Sequence, residues 1–263
     1  MADKTNKEKQ FSRRDFLKTT GVATGGIIGG SMLGGLVGFR LDSPTEEADT
    51  GQQSAEQGAE GGGNSGSYNP GRMFFHNDTT FDTISQAMER IYPEDDMGPG
   101  AIALGAPFFL DMQLAGEYGN NTREYMQGPF YEGEATQGYQ SRLIRSELFR
   151  LGIERLDTEA NEMFDDDFRN LDGGQMDEIL TRFQEGEADM GVPAATAKPE
   201  DFFRLLRSST IEGVYADPLY RGNHNMEGWK MKNFPGHQHA YIQEIDTDSF
   251  TEIEPQPLFG GNH

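Results

Sequence analysis

The 263-residue chain contains no cysteine. That excludes a disulfide framework, a zinc finger, a Cys-ligated iron–sulfur cluster and a covalently attached c-type haem. Basic residues are scarce: 22 Lys and Arg stand against 44 Asp and Glu, a net charge of −22. Duplex binding draws on basic groups that release counterions, so nucleic acid is not an expected partner. Tryptophan occurs once, and apolar residues make up 35% of the chain. That share is low for a globular domain, but the deficit sits largely in one polar segment, so the rest can still close a core. No stretch alternates polar and apolar residues convincingly, and no repeat of 20–50 residues is present. The chain also lacks a G-x-S-x-G elbow, a Walker A loop, and a G-x-G-x-x-G turn between a strand and a helix.

What is present is unevenly placed. Residues 1–40 hold 7 Lys and Arg against 3 Asp and Glu; residues 41–263 hold 15 against 41. Only Lys198, Lys230 and Lys232 are lysines in that second part. An acidic, Lys-poor surface suits a saline or alkaline exterior, and equally a face that meets a basic partner.

The first forty residues read as an address. Residues 1–20 form a basic segment in which Ser12, Arg13, Arg14, Phe16, Leu17 and Lys18 make a twin-arginine pattern. Residues 21–39 follow without a charge and include eight glycines. A basic segment, an apolar run and a polar flank are the layout of a secretory signal, and this one resembles the twin-arginine (Tat) family, which is read by the Tat translocase and exports folded proteins. Nineteen helical residues would span about 28 Å, near the ~30 Å hydrocarbon core. No A-x-A cleavage site follows closely, so residues 21–39 are either a removed signal or a retained anchor. Either way the basic end stays inside and the acidic bulk is expected on the extracytoplasmic face of the membrane.

Residues 40–71 form a Gly-rich linker; residues 41–71 hold six carboxylates and no Lys or Arg. Such a segment cannot offset the entropy of ordering and is expected to be a flexible tether spanning about 30 Å. From residue 72 the composition changes. The spacing of Phe81, Ile84, Met88, Ile91 and Tyr92 predicts a helix capped by Asp78, Thr79 or Thr80 and stopped by Pro93. A second helix is expected over Ala101–Ala115, with Pro107 kinking or splitting it. A third is expected over Arg142–Leu156. A fourth carries Met176, Ile179, Leu180 and Phe183 after Asp172-Gly173-Gly174. A fifth opens at Pro199-Glu200-Asp201. The expected fold is an all-α, irregular helical domain over residues 72–250, with long loops near 117–140 and 216–250 and a C-terminal tail at 251–263.

Chemical candidates are few. The acidic turns at Pro93–Pro99 and Asp165–Asp172 lack the order of a calcium loop and read as helix ends and caps. His224, His237 and His239 could supply three imidazoles to a metal, although no HExxH accompanies them; surface histidines are the simpler reading. The segment Tyr215–Lys230, continuing through Phe234-Pro235-Gly236, gathers the only Trp, two Tyr and several turn residues. Trp229 is either an interface anchor or a clamp holding the loop to its own helices.

Several of these segments together resemble the gluconate 2-dehydrogenase subunit 3 family. They are Arg90-Ile91-Tyr92-Pro93 with Asp95-Asp96 and Gly98-Pro99-Gly100-Ala101; Phe109-Leu110-Asp111 with Gln113-Leu114-Ala115-Gly116; and Tyr125-Met126-Gln127-Gly128-Pro129-Phe130 with Gly138-Tyr139-Gln140. Asp217-Pro218, Tyr220, Gly222-Asn223, Gly228-Trp229-Lys230 and Phe234-Pro235-Gly236 complete the set. The match runs in order from about residue 74 to 242. It departs at Arg221, where the family usually has Gly, and at His224-Asn225, where it has Arg or Lys with Asp. The resemblance implies a small subunit without a redox centre of its own. It implies as partners an FAD-containing large subunit of the glucose-methanol-choline type and a cytochrome c subunit, and a role in maturation and Tat export of the flavoprotein. The candidate partner-binding residues are Asp217, Pro218, Tyr220, Asn223, Trp229, Phe234 and Pro235; no catalytic, cofactor or metal residue is expected in this chain. Two other readings stay open: a stand-alone metal-binding enzyme using the loop histidines, and a membrane-tethered extracellular binding protein.

Overall fold

A computed structural model describes residues 69–131, 133–134, 136–242, 245 and 252–259. The twin-arginine pattern, the uncharged run at 21–39 and nearly all of the linker lie outside these residues. Among the described residues the protein is all-helical, with six α-helices and two isolated β-bridges. We number them α1 (Asp78–Ile91), α2 (Ala106–Ala115), α3 (Arg145–Phe164), α4 (Gly173–Glu185), α5 (Pro199–Tyr215) and α6 (Glu227–Lys230). None of the helices described is long and apolar enough to cross a membrane.

The apolar stripes are the core. Ile84, Met88, Leu148, Leu156, Ile179 and Phe183 are fully buried. Phe202 of α5 stands edge-on between Phe149 of α3 and Phe183 of α4, each ring centroid 5.6 Å away. α5 is the central helix, packing most extensively on α2 and α4. Two ion pairs staple the frame at its edge. Arg90 of α1 grips Asp177 of α4 through two hydrogen bonds of 2.9 and 2.7 Å, which raises the Arg90 pKa further. Arg182 of α4 reaches the buried Glu159 of α3 at 2.9 Å.

Element ends differ from expectation for identifiable reasons. α1 is capped by Asn77, whose side chain accepts from Thr79 N, one residue before the earliest expected cap. Pro107 does not kink a long helix. It sits in the first turn of α2, where its missing N–H has no bond to lose, and residues 101–105 form turns instead. α3 runs two turns past Leu156, because Glu159 and Ala160 are buried there. α4 begins at a capping box between Asp172 and Gln175, as the Asp-Gly-Gly text implies. α5 opens at Pro199 with Glu200 and Asp201 in its first turn, as expected. The stretch 117–140 holds no helix among its described residues. The stretch from 216 is partly structured: two short 3-10 turns, Pro218–Tyr220 and His224–Met226, precede α6.

The entry to the domain is anchored by one carboxylate. Asp111 of α2 is fully buried and accepts from the backbone N–H groups of Met73, Phe74 and Phe75 at 2.6–2.9 Å. Three oriented donors satisfy a charge that burial alone would make costly.

Candidate partner-binding site

The loop at residues 216–236 is built from the C-terminus of α5 outward. Asp217 caps the first 3-10 turn by accepting from Leu219 N at 2.9 Å, and Pro218 supplies its first position. Asn223 is the keystone. It is fully buried, its Nδ2 donates to the Ala216 carbonyl at 2.9 Å, and its Oδ1 accepts from Gly228 N at 2.8 Å. Its own N–H donates to the Gly213 carbonyl, while His224 N–H donates to the Leu104 carbonyl at 2.9 Å. The loop therefore lies hard against α5. A Cβ at Gly222 would overlap the Gly213 carbonyl oxygen, and one at Gly228 would overlap that of Val214.

This tight course holds the backbone in unusual states. Arg221, Asn223, Asn225 and Met226 all have φ between 50° and 67°. Asn tolerates that region; Arg and Met occupy it only where the surroundings impose it. Arg221 stands where the resembled family carries Gly, which the left-handed conformation explains directly. Its Nη1 donates to the Gly71 carbonyl at 3.1 Å, so the residue also ties the end of the linker to the loop.

Trp229 answers one of the two readings of the loop. It is 6% exposed, its Nε1 donates to the Tyr215 carbonyl at 2.8 Å, and Phe234 meets its ring edge-on at 5.3 Å. It clamps the loop to α5 and is not presented outward. Tyr220 and Phe234 differ: they are 42% and 48% exposed, as is their neighbour Leu219 at 45%. Pro235 is partly exposed, and its carbonyl accepts from Gln256 N at 3.1 Å.

The tail is part of this surface, which sequence reasoning missed. Gly236 and Gln256 form a parallel β-bridge, His237 N–H donates to the Gln256 carbonyl at 2.7 Å, and Leu258 N–H donates to Asp217 Oδ2 at 2.8 Å. Pro255 and Pro257 bracket the bridging residue and favour an extended chain there, but they do not encode its pairing with the loop. Phe259 ends the strip, 70% exposed.

Beside Tyr220 opens a cleft of about 410 Å³, with Met112, Gln113, Tyr118, Glu124 and Arg145 among its other walls. The Arg145 guanidinium lies 4.5 Å from the Tyr118 ring centroid and 4.8 Å from that of Tyr139, and donates to Glu124 at 2.6 Å. That bond lowers the Glu124 pKa. Burial pushes the Tyr139 hydroxyl up to about 12, so it stays protonated and donates to the Leu143 carbonyl. In the cleft wall Arg145 thus pairs with Glu124 and Arg123 with Glu117, so the charges balance, while the buried Arg145 Nε makes no hydrogen bond to a described residue.

The histidines do not assemble. The His237 and His239 rings meet edge-on at 4.7 Å, but among the described residues no three His, Asp or Glu gather where they could hold a metal ion. The acidic text at 165–172 is spent on helix ends: Asp165 is the left-handed cap of α3 and Asp172 the N-cap of α4.

A family model described as gluconate 2-dehydrogenase subunit 3 matches residues 78–236, more than half of the chain. The match begins at the first residue of α1 and ends at the glycine where the tail bridges to the loop. No curated protein and no solved structure matches the chain.

Proposed function

Because the chain belongs to the gluconate 2-dehydrogenase subunit 3 family, we propose that it is a non-catalytic small subunit. Its partner is an exported, FAD-dependent sugar or alcohol dehydrogenase of the glucose-methanol-choline type, and it assists that flavoprotein's maturation and export by the Tat route. Its mechanism is binding. The helical domain holds the folded flavoprotein while the N-terminal signal directs both across the membrane, where a cytochrome c subunit takes up the electrons. FAD belongs to the large subunit; no redox step is assigned to this chain.

One observation carries this reading. The loop motif divides into residues that folding requires and residues that it does not. Asp217, Pro218, Gly222, Asn223, Gly228 and Trp229 build the loop. Tyr220 leaves large apolar surface in water, and so does Phe234, although one edge of its ring packs on Trp229. A strained, over-determined loop that holds aromatic side chains outward suits recognition.

The export half of the proposal has its own test. Replacing Arg13 and Arg14 by Lys is expected to leave the flavoprotein in the cytoplasm, read as flavin dehydrogenase activity in fractionated cells. Undiminished activity in the exported fraction of that variant would contradict it.

A further inference from the structure

The tripeptide Asn-X-Thr, in which X is any residue but proline, marks an asparagine that can accept an N-linked glycan on an exported protein. It stands at two places in the chain, Asn77-Asp78-Thr79 and Asn120-Asn121-Thr122. The tripeptide alone is common, and its surroundings decide whether it can be used. A chain exported unfolded can be modified before it folds. A chain exported folded, as proposed above, offers only the groups that its surface presents. The two tripeptides differ on that ground.

Asn120 is exposed, but its turn is closed on itself. Its Nδ2 donates to the Gly116 carbonyl at 3.1 Å, and Thr122 Oγ1 donates to the Glu117 carbonyl at 3.4 Å. Between them Asn121 is buried, and its Oδ1 accepts from Arg145 N at 2.8 Å. Both groups that a transferase must engage are therefore occupied, and the residue between them is locked to α3. Asn77 differs at each point. His76, Asn77 and Asp78 are all exposed where the chain enters α1, and the Asn77 backbone is extended, at φ −96° and ψ 130°. Its Oδ1 accepts from Thr79 N at 2.8 Å, while its Nδ2 and Thr79 Oγ1 have no hydrogen-bond partner among the described residues. The bonds of residues 73–75 to Asp111 on one side and α1 on the other hold Asn77 at the surface.

We propose that Asn77 is the acceptor of an N-linked glycan, attached to the folded chain after export. The proposal rests on the export reading above. In the transfer, Asn77 Nδ2 attacks the anomeric carbon of a glycan carried as a polyprenyl phosphate or diphosphate ester. The carbon–nitrogen bond forms as the carbon–oxygen bond to phosphate breaks. One amide proton passes to a base of the glycosyltransferase, and the lipid phosphate leaves. The fold gives up nothing in this step. Nδ2 has no bond to a described residue to lose, and Oδ1 remains an amide oxygen that accepts from Thr79 N, so the cap of α1 persists.

The test is mass spectrometry of the full chain recovered from the exported fraction of native cells. Cleavage after Arg72 and Arg90 releases residues 73–90, and cleavage after Arg90 and Arg123 releases residues 91–123. The first peptide is expected to carry the mass of a glycan on Asn77, and the second to have the mass of its sequence. Asn77→Asp keeps a capping oxygen but offers no amide nitrogen. It is expected to lose the whole glycan mass while its melting curve stays close to that of the enzymatically deglycosylated wild type, which separates loss of the glycan from loss of the fold. Thr79→Ala leaves Asn77 in place and is expected to lose the glycan as well; Thr79→Ser, which keeps a hydroxyl, is expected to retain it. An unmodified 73–90 peptide in the exported chain would overturn the inference and leave the export reading standing. A glycan on Asn120 and none on Asn77 would overturn it equally. A chain found only in the cytoplasm would overturn the inference and the export reading together.

Discussion

Single residues decide more here than the charge totals suggest. Asp111 concentrates three backbone hydrogen bonds on one buried carboxylate, at the point where the chain enters the domain. Asp111→Asn keeps the volume but removes the charge and faces an amide N–H₂ toward one or more donors. It is expected to cost about 1–3 kcal/mol in urea unfolding, with proteolysis at residues 71–76 appearing first. Trp229→Ala is a different case from Tyr220→Ser. The first removes a buried ring and orphans the Tyr215 carbonyl, and is expected to cost about 3–5 kcal/mol of stability. The second is expected to leave the unfolding midpoint nearly unchanged and to act on partner binding alone. Equal destabilisation by both would show that Tyr220 belongs to the folding frame.

Among the elements, α3 couples a helix to a titration. Asp157 accepts from Phe168 N at 3.2 Å and from Thr83 Oγ1 at 3.3 Å, yet burial outweighs both and raises its pKa. The folded protein therefore binds this proton more tightly than the unfolded chain. Its contribution to stability is present below the ordinary carboxylate range and is lost as pH rises through the raised value. Asp157→Asn is expected to remove that part of the pH dependence of the urea midpoint; an unchanged profile would show that the group titrates normally. The elements also show what could be read in advance. The stripe of Met176, Ile179, Leu180 and Phe183, the Asp172 cap and the Pro199 opening were all legible, because each is local chemistry. The last two turns of α3 were not. They are held by Glu159, a buried carboxylate satisfied by Arg182 and by Asp189 N across the fold, and a polar residue at a core position carries no periodic signal. Pro107 misled for a related reason: its place in a first turn depends on Gly105, at φ 75°, ending the turn before it.

For the whole molecule, composition and motif order were informative where periodicity was silent. The all-helical class followed from the stripes, and the family followed from motif residues running in order along the domain. The candidate site was half legible. Its aromatic and turn residues stood out, but which of them face outward did not, since Trp229 and Phe234 look alike in a sequence and one is clamped beneath the other. The tail's return to the loop rests on long-range backbone bonds that no local pattern encodes. The same scale holds the central claim, that this chain works by binding a flavoprotein. The most direct measurement is to isolate the full chain gently from native membranes, through an affinity tag set behind a spacer after His263, and record the absorbance spectrum with mass spectrometry of what accompanies it. A flavin spectrum at a fixed ratio to a large dehydrogenase subunit is the predicted result. A colourless protein that comes away alone would contradict the account.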